Sequence, residues 1–171
     1  MSDAGEFVDY TLQRESSWEK AYEIRERAGE GLEVYGASVG AVRGTVRDTL
    51  KRYKDLGHDD ITALSSELWS EPVFERRLAA VVLLQTKVEI LVNTDLTRIE
   101  GFLREAATKH LSDPLARDVV RPLVRRLEGQ AKEKAGKVLE RWSQDPDPAL
   151  RRASALATGE PPPVVGPATL D

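Results

Sequence analysis

The chain has 171 residues, 40% of them hydrophobic and 32% charged, with a formal net charge of −4; that is room for one domain with a real core. It contains no cysteine, which excludes disulfides, thiol nucleophiles and sulfur-ligated zinc. The longest apolar run, Leu78–Leu84, lies between Arg76, Arg77 and Lys87, and the Met-Ser-Asp-Ala-Gly-Glu start has neither a basic nor an apolar signal region, so a cytoplasmic protein is expected.

Phe7, Val8, Leu12, Trp18, Tyr22 and Ile24 recur at helical spacing among charges, which predicts amphipathic helices over Asp3–Gln13 and Ser17–Ala28, with Ser17 as a cap. Through Ala37 nine carboxylates face four cations, a composition ill suited to a phosphate backbone. Glycines at 29, 31, 36 and 40 mark a break, and Leu32-Glu-Val-Tyr35 between them is too short for a strand. A helix beginning near Ser38 follows. Val39, Val42, Val46, Leu50 and Tyr53 form its apolar stripe, and Arg43, Arg47, Lys51, Arg52 and Lys54 charge the rest; taken alone, that is a solvated basic face.

Gly57-His-Asp-Asp60 closes this helix and caps the next, which carries Ile61, Leu64 and Leu68 on one side. Glu71-Pro72 restarts the chain ahead of the most apolar helix, with Phe74, Leu78, Val81, Val82 and Leu84, flanked by Arg76 and Arg77 and placed at the centre of the core. Asn93-Thr-Asp95 caps a helix bearing Leu96, Ile99, Phe102 and Leu103. Ser112-Asp113-Pro114 has the form of a helix start, a capping side chain followed by proline. Its helix turns Leu115, Val119, Val120, Leu123, Val124 and Leu127 inward and leaves Arg117, Arg121, Arg125 and Arg126 outside. Another helix combines Lys132, Lys134, Lys137 and Arg141 with Val138, Leu139 and Trp142. Asp145-Pro-Asp-Pro148 opens the last one, Ala149–Ala157, its prolines placing both aspartates in turn and cap geometry. From Gly159 the proline-rich tail is expected to be disordered, which gives a helical domain over 1–158 and a tail over 159–171.

The expected fold class is all-α: a curved stack of helical hairpins, a HEAT-like α–α superhelix, with a compact bundle as the alternative. Two-helix units recur at roughly 35–45 residues, and every second helix of such a stack lines a concave face open to a ligand or a protein partner. His58 and His110 are distant in sequence, and His110-x-x-Asp113 offers two ligands where a structural metal site wants about four. No metal and no cofactor are expected.

Four stretches then occur in a particular order: Tyr35-Gly-Ala-Ser-Val-Gly-Ala-Val-Arg43, Leu68-Trp-Ser-Glu-Pro-Val-Phe-Glu-Arg-Arg-Leu-Ala79, Asp113 followed by Val119-Val-Arg-Pro-Leu-Val124, and Asp147-Pro-Ala-Leu-Arg-Arg-Ala153. Together they resemble the HEAT-like DNA alkylation-repair glycosylases of the AlkD type, from about Tyr22 to Ala157. The resemblance implies a basic concave face that holds duplex DNA and releases N3- and N7-alkylated purines. The family's Trp-Asp-x-x-Asp pattern falls on Lys109-His-Leu-Ser-Asp113, which makes Asp113 the functional acid, and a late-helix arginine maps to Arg152. Alkylation turns the base into a cationic leaving group; a fixed carboxylate stabilises the charge left on the sugar while arginine holds phosphate. Lys109, Arg43, Arg47, Arg117 and Arg121 are the further candidates for phosphate. The departures are Lys109 in place of the family's aromatic, His110 in place of its acid, and a chain that stops short of the helices completing the family's groove. Trp142 is the one aromatic placed to substitute, if the fold brings it close.

Asp113 is thus a helix cap, a site acid or both, and Arg152 a phosphate ligand or a solvated cation. Three functions follow: an alkylpurine DNA glycosylase, a DNA-binding relative without catalysis that recognises shape and charge, or a helical scaffold for a protein partner, toward which the net negative charge points. The acidic first 37 residues and the basic later helices are expected to lie on separate parts of the surface.

Overall fold

The computed structural model describes residues 1–159. The predicted disordered tail lies, from residue 160 onward, outside the described residues.

Serine and aspartate caps start most of the helices where the sequence placed them. Ser2 precedes α1 (Asp3–Arg14), Ser17 precedes α2 (Trp18–Ala28) and Ser38 precedes α3 (Val39–Arg52), each side chain accepting from a first-turn amide. Asp147 does the same for α10 (Pro148–Thr158), accepting from Ala149 N at 2.9 Å. Each such cap contributes about 1 kcal/mol. Between them run α4 (His58–Ser70), α5 (Phe74–Thr86), α6 (Leu96–Glu105), α7 (Lys109–Leu115), α8 (Arg121–Arg126) and α9 (Gly129–Ser143). The glycine-rich break holds no strand; a single parallel bridge, Glu33 with Val73, ties it to the start of α5.

The fold is all-α and built from helical hairpins such as α4/α5 and α9/α10. The second helices also pack on one another: α5 lies against α3 and α7, and α10 against α7 and α8. Every candidate site residue is on this row. Among the described residues no helix is long and apolar enough to cross a membrane.

α5 is the central helix, buried from Phe74 through Leu84. Arg76 and Arg77 therefore do not flank the core; they are inside it, 3% and 7% exposed, beside a fully buried Glu75. Each charge has partners, as burial requires. The Glu75 carboxylate accepts the backbone amides of Tyr35 at 2.9 Å, Gly36 at 2.9 Å and Ala37 at 3.2 Å, so it fixes the glycine-rich break. Arg76 donates to Asp9 Oδ1 and to the Glu67 carbonyl, both at 3.0 Å. Asp9 also accepts from the Tyr35 hydroxyl at 2.7 Å. Burial pushes the Asp9 carboxyl up, but the donors Tyr35, Arg76 and Gln13 outweigh it and hold it below the usual aspartate range. Burial and the bond to Asp9 push the Tyr35 phenol up to about 12. Arg77 lies 4.9 Å over the Trp69 ring, which stacks on Phe102, and donates to the carbonyls of Trp69 and of Glu105 at the end of α6. At the other helices the apolar stripes match the expected ones, except that Val39 is 44% exposed at the first position of α3.

The helix expected to begin at Ser112-Asp113-Pro114 begins a turn earlier. Ala107 adopts a left-handed φ of 65°, the chain reverses, and the extended Thr108 becomes the cap, its hydroxyl accepting from His110 N. Thr108 also donates to the Arg27 carbonyl at 2.7 Å, which anchors the start of α7 to the end of α2. Asp113 is therefore inside a helix and is not its cap. Pro114 sits inside α7 without an amide to donate. The helix then widens into a π turn over Ala116–Val120, where Arg121 N bonds to Ala116 O, before Pro122 enters α8.

Candidate functional site

Position 113 lies in the second turn of α7, and position 152 in the second turn of α10. Asp147 and Pro148 start α10 at a register that turns Ala153 and Leu150 into the core and leaves Arg152 at the α7 contact. There Arg152 donates Nε to Asp113 Oδ1 at 2.8 Å and Nη2 to Oδ2 at 2.9 Å. This is a two-pronged charge-assisted pair of the strong type. The side chains keep 17% and 27% of their surface exposed, so solvent and a ligand can reach both. The bond to Asp113 raises the Arg152 pKa above its ordinary value. The two residues singled out from sequence as acid and phosphate ligand are thus joined to each other.

A cleft of about 570 Å³ opens beside the pair, between the α6–α7 junction and α10. Lys109, Arg151 and Arg152 line it with the Thr108 and Ser112 hydroxyls, and Leu103 and Pro148 belong to its apolar wall. Lys109 is exposed and stands one helical turn before Asp113. Arg104, at the rim, is held by Asp145 at 2.8 Å, with Glu100 at 3.6 Å and Asp147 at 3.8 Å. Its bond to Asp145 holds that carboxyl below the usual range. The tandem aspartates are therefore engaged in capping and ion pairing.

The sequence-family model described as DNA alkylation repair enzyme matches residues 8–161. The chain belongs to that family. A search of curated proteins finds no match.

In this alkylation-repair chain α7 forms a ridge between two clefts. His110, Pro114 and Asp118, four residues apart, face a second groove of about 460 Å³ shared with α2, α3 and α5, its floor formed by Phe74, Leu78 and Val81. Arg43 lies on the rim of this groove with Lys20 and Arg27 and does not join the Asp113–Arg152 pair. Arg47, one turn farther along α3, is exposed and within 3.8 Å of Asp48. Arg117 is exposed, whereas Arg121 is half-buried with its guanidinium against Gly159. His110 and Asp113 serve different clefts and do not converge as a metal pair.

Trp142 is fully buried and donates its indole N–H to Glu100 at 2.6 Å, so it cannot replace the aromatic missing at Lys109. Thr108, Ser112 and Arg151 are site residues that sequence reasoning did not name. Ser112 could have been found from its three-residue spacing to Lys109, which shares a helix face with it.

Proposed function

We propose that this member of the alkylation-repair family binds duplex DNA along the row formed by α3, α7, α8 and α10, a HEAT-like surface, and releases N3- or N7-alkylated purines as a DNA glycosylase. The observation that carries this reading is the solvent-reachable, two-pronged Asp113–Arg152 pair at the edge of a cationic cleft. In the free protein the guanidinium neutralises the carboxylate. A DNA phosphate offers Arg152 the same two-oxygen geometry, and the arginine's transfer to phosphate turns Asp113 toward the sugar. As the cationic base departs, the electron pair of the glycosidic bond leaves with it and positive charge develops at C1′. The freed carboxylate stabilises that charge and orients the water that adds to C1′. Lys109, Arg117 and Arg121 on the same continuous helix, with Arg43 and Arg47 on α3, supply further phosphate contacts and a salt-dependent affinity. The chemistry calls on no cofactor.

The test is release of free base from duplex DNA carrying N7-methylguanine or N3-methyladenine, with wild type and Asp113→Asn compared at equal DNA occupancy. Release by wild type and its loss in the variant is the expected result. The engagement of Asp113 by Arg152 also favours a second reading, a relative that binds DNA without catalysis. That reading is the outcome if saturated binding gives no release, while failure to bind leaves a scaffold for a protein partner.

A further inference from the structure

We propose that Lys109 gives the chain a second activity, cleavage of the DNA strand at an abasic site through a covalent imine. The inference rests on the DNA reading above and takes up the product of base release. Lys109 is exposed in the first turn of α7, and four-residue spacing puts its amine on the same helix face as the Asp113 carboxylate. It has no carboxylate partner among the described residues, and no acid lines its cleft. Arg151, Arg152, Thr108 and Ser112 in that cleft are suited to the phosphates on either side of a sugar. A lysine amine is the protein nucleophile that condenses with carbonyls, and loss of a base leaves a sugar whose C1′ opens to an aldehyde. An aromatic side chain in this position could only stack.

The unprotonated Lys109 Nζ adds to the C1′ aldehyde, and the carbinolamine loses water to give a protonated imine. That cation acidifies C2′, and the Asp113 carboxylate or a water takes a C2′ proton. The C2′–H electron pair becomes the C2′–C3′ double bond, and the C3′–O bond breaks with its electrons leaving on the 3′ phosphate. Water then hydrolyses the imine and returns the amine. No oxidant or reductant is consumed.

The experiment incubates the full chain with duplex DNA containing one abasic site, with and without sodium cyanoborohydride to reduce the imine to a stable adduct. Strand cleavage and equilibrium binding are followed in parallel. Wild type is expected to give cleavage and an adduct that mass mapping places on Lys109. Lys109→Arg keeps the positive charge and the DNA binding but is expected to lose adduct and cleavage completely, as is Lys109→Ala, while Lys132→Arg on α9 retains both. An adduct that persists in Lys109→Arg, or that maps to the N-terminal amine, overturns the proposal. So does a wild type that saturates the abasic duplex and is never trapped, a result that leaves the DNA reading standing. A wild type that does not bind the abasic duplex overturns both together.

Discussion

Arginine meets aspartate at two places in this molecule, and the two meetings have different consequences. In the first, Arg76 on α5 binds Asp9 with 4% and 16% of the side-chain surfaces exposed, and Asp9 takes further donors from Tyr35 and Gln13. In the second, Arg152 binds Asp113, and the two ion-pair prongs are the only side-chain hydrogen bonds to that carboxylate among the described residues. A buried charge with several partners is costly to disturb, because removing any one of them strands the others away from water. A half-exposed pair with a single partner can exchange that partner for a ligand of the same geometry. The α5 network therefore acts as a bolt and the α7–α10 pair as a contact that can open. The two are linked through Arg77, whose bond to the Glu105 carbonyl fixes the end of α6 from which the Thr108 cap and α7 depart.

The largest test of this contrast is Glu75→Ala, which leaves three backbone amides of the glycine-rich break without their acceptor. A loss of about 3–5 kcal/mol is expected, seen as a fall in Tm of roughly 10 °C; an unchanged Tm would show that the network is not a bolt. Asp113→Asn is expected to do the reverse. Its Tm moves by the equivalent of about 1 kcal/mol or less, while base release at saturating DNA falls by about 100-fold. Arg152→Ala comes next: DNA affinity falls about tenfold, and the slope of log K against log salt shrinks by about one phosphate's worth. An unchanged slope would remove Arg152 from the phosphate contacts.

The smallest effect is at a third pair, His58 Nε2 with Asp95 Oδ2 at 2.8 Å, where Asp59 holds the other ring nitrogen. The bond to Asp95, then that to Asp59, raises the histidine pKa against a small opposing effect of burial. A raised folded value means that the contribution is fully present below the unfolded pKa, about 6.5. It is lost as pH rises through the folded value. Tm measured across that window should decline slightly in wild type and stay flatter in His58→Gln.

Sequence made the helices legible where an end residue has one dominant use. Ser17, Ser38 and Asp147 satisfy amides at the positions expected of them, and period-3.6 stripes located most of the buried faces. It misled at Ser112-Asp113-Pro114. Proline after a capping residue is a start signal because the missing amide is harmless there, but a helix that widens shortly afterwards also tolerates proline, and local sequence does not distinguish the two. It misled again at Arg76 and Arg77, since a charge pattern does not reveal that Asp9, Glu67, Trp69 and Glu105, all distant in the chain, converge on those guanidinium groups. The meeting of Asp113 with Arg152 depends on the packing of α10 against α7, which no local pattern encodes; only the identity of the two residues was available, through the family resemblance.

The π turn over Ala116–Val120 sets a rule for length variation in this chain. A π turn accommodates one residue more than an α-helix would over the same path. Removing a single residue there is the smallest edit that restores unbroken α register, and it would rotate everything downstream by about 100°. Leu123 would swing out of the core and Arg121 out of its place against Gly159. One-residue deletions in this helix should therefore be far less tolerated than paired changes that delete one residue within the turn and insert another just beyond it. A library of such length variants, scored for soluble folded protein, would display this segment as a spacer whose residue count matters more than its side chains.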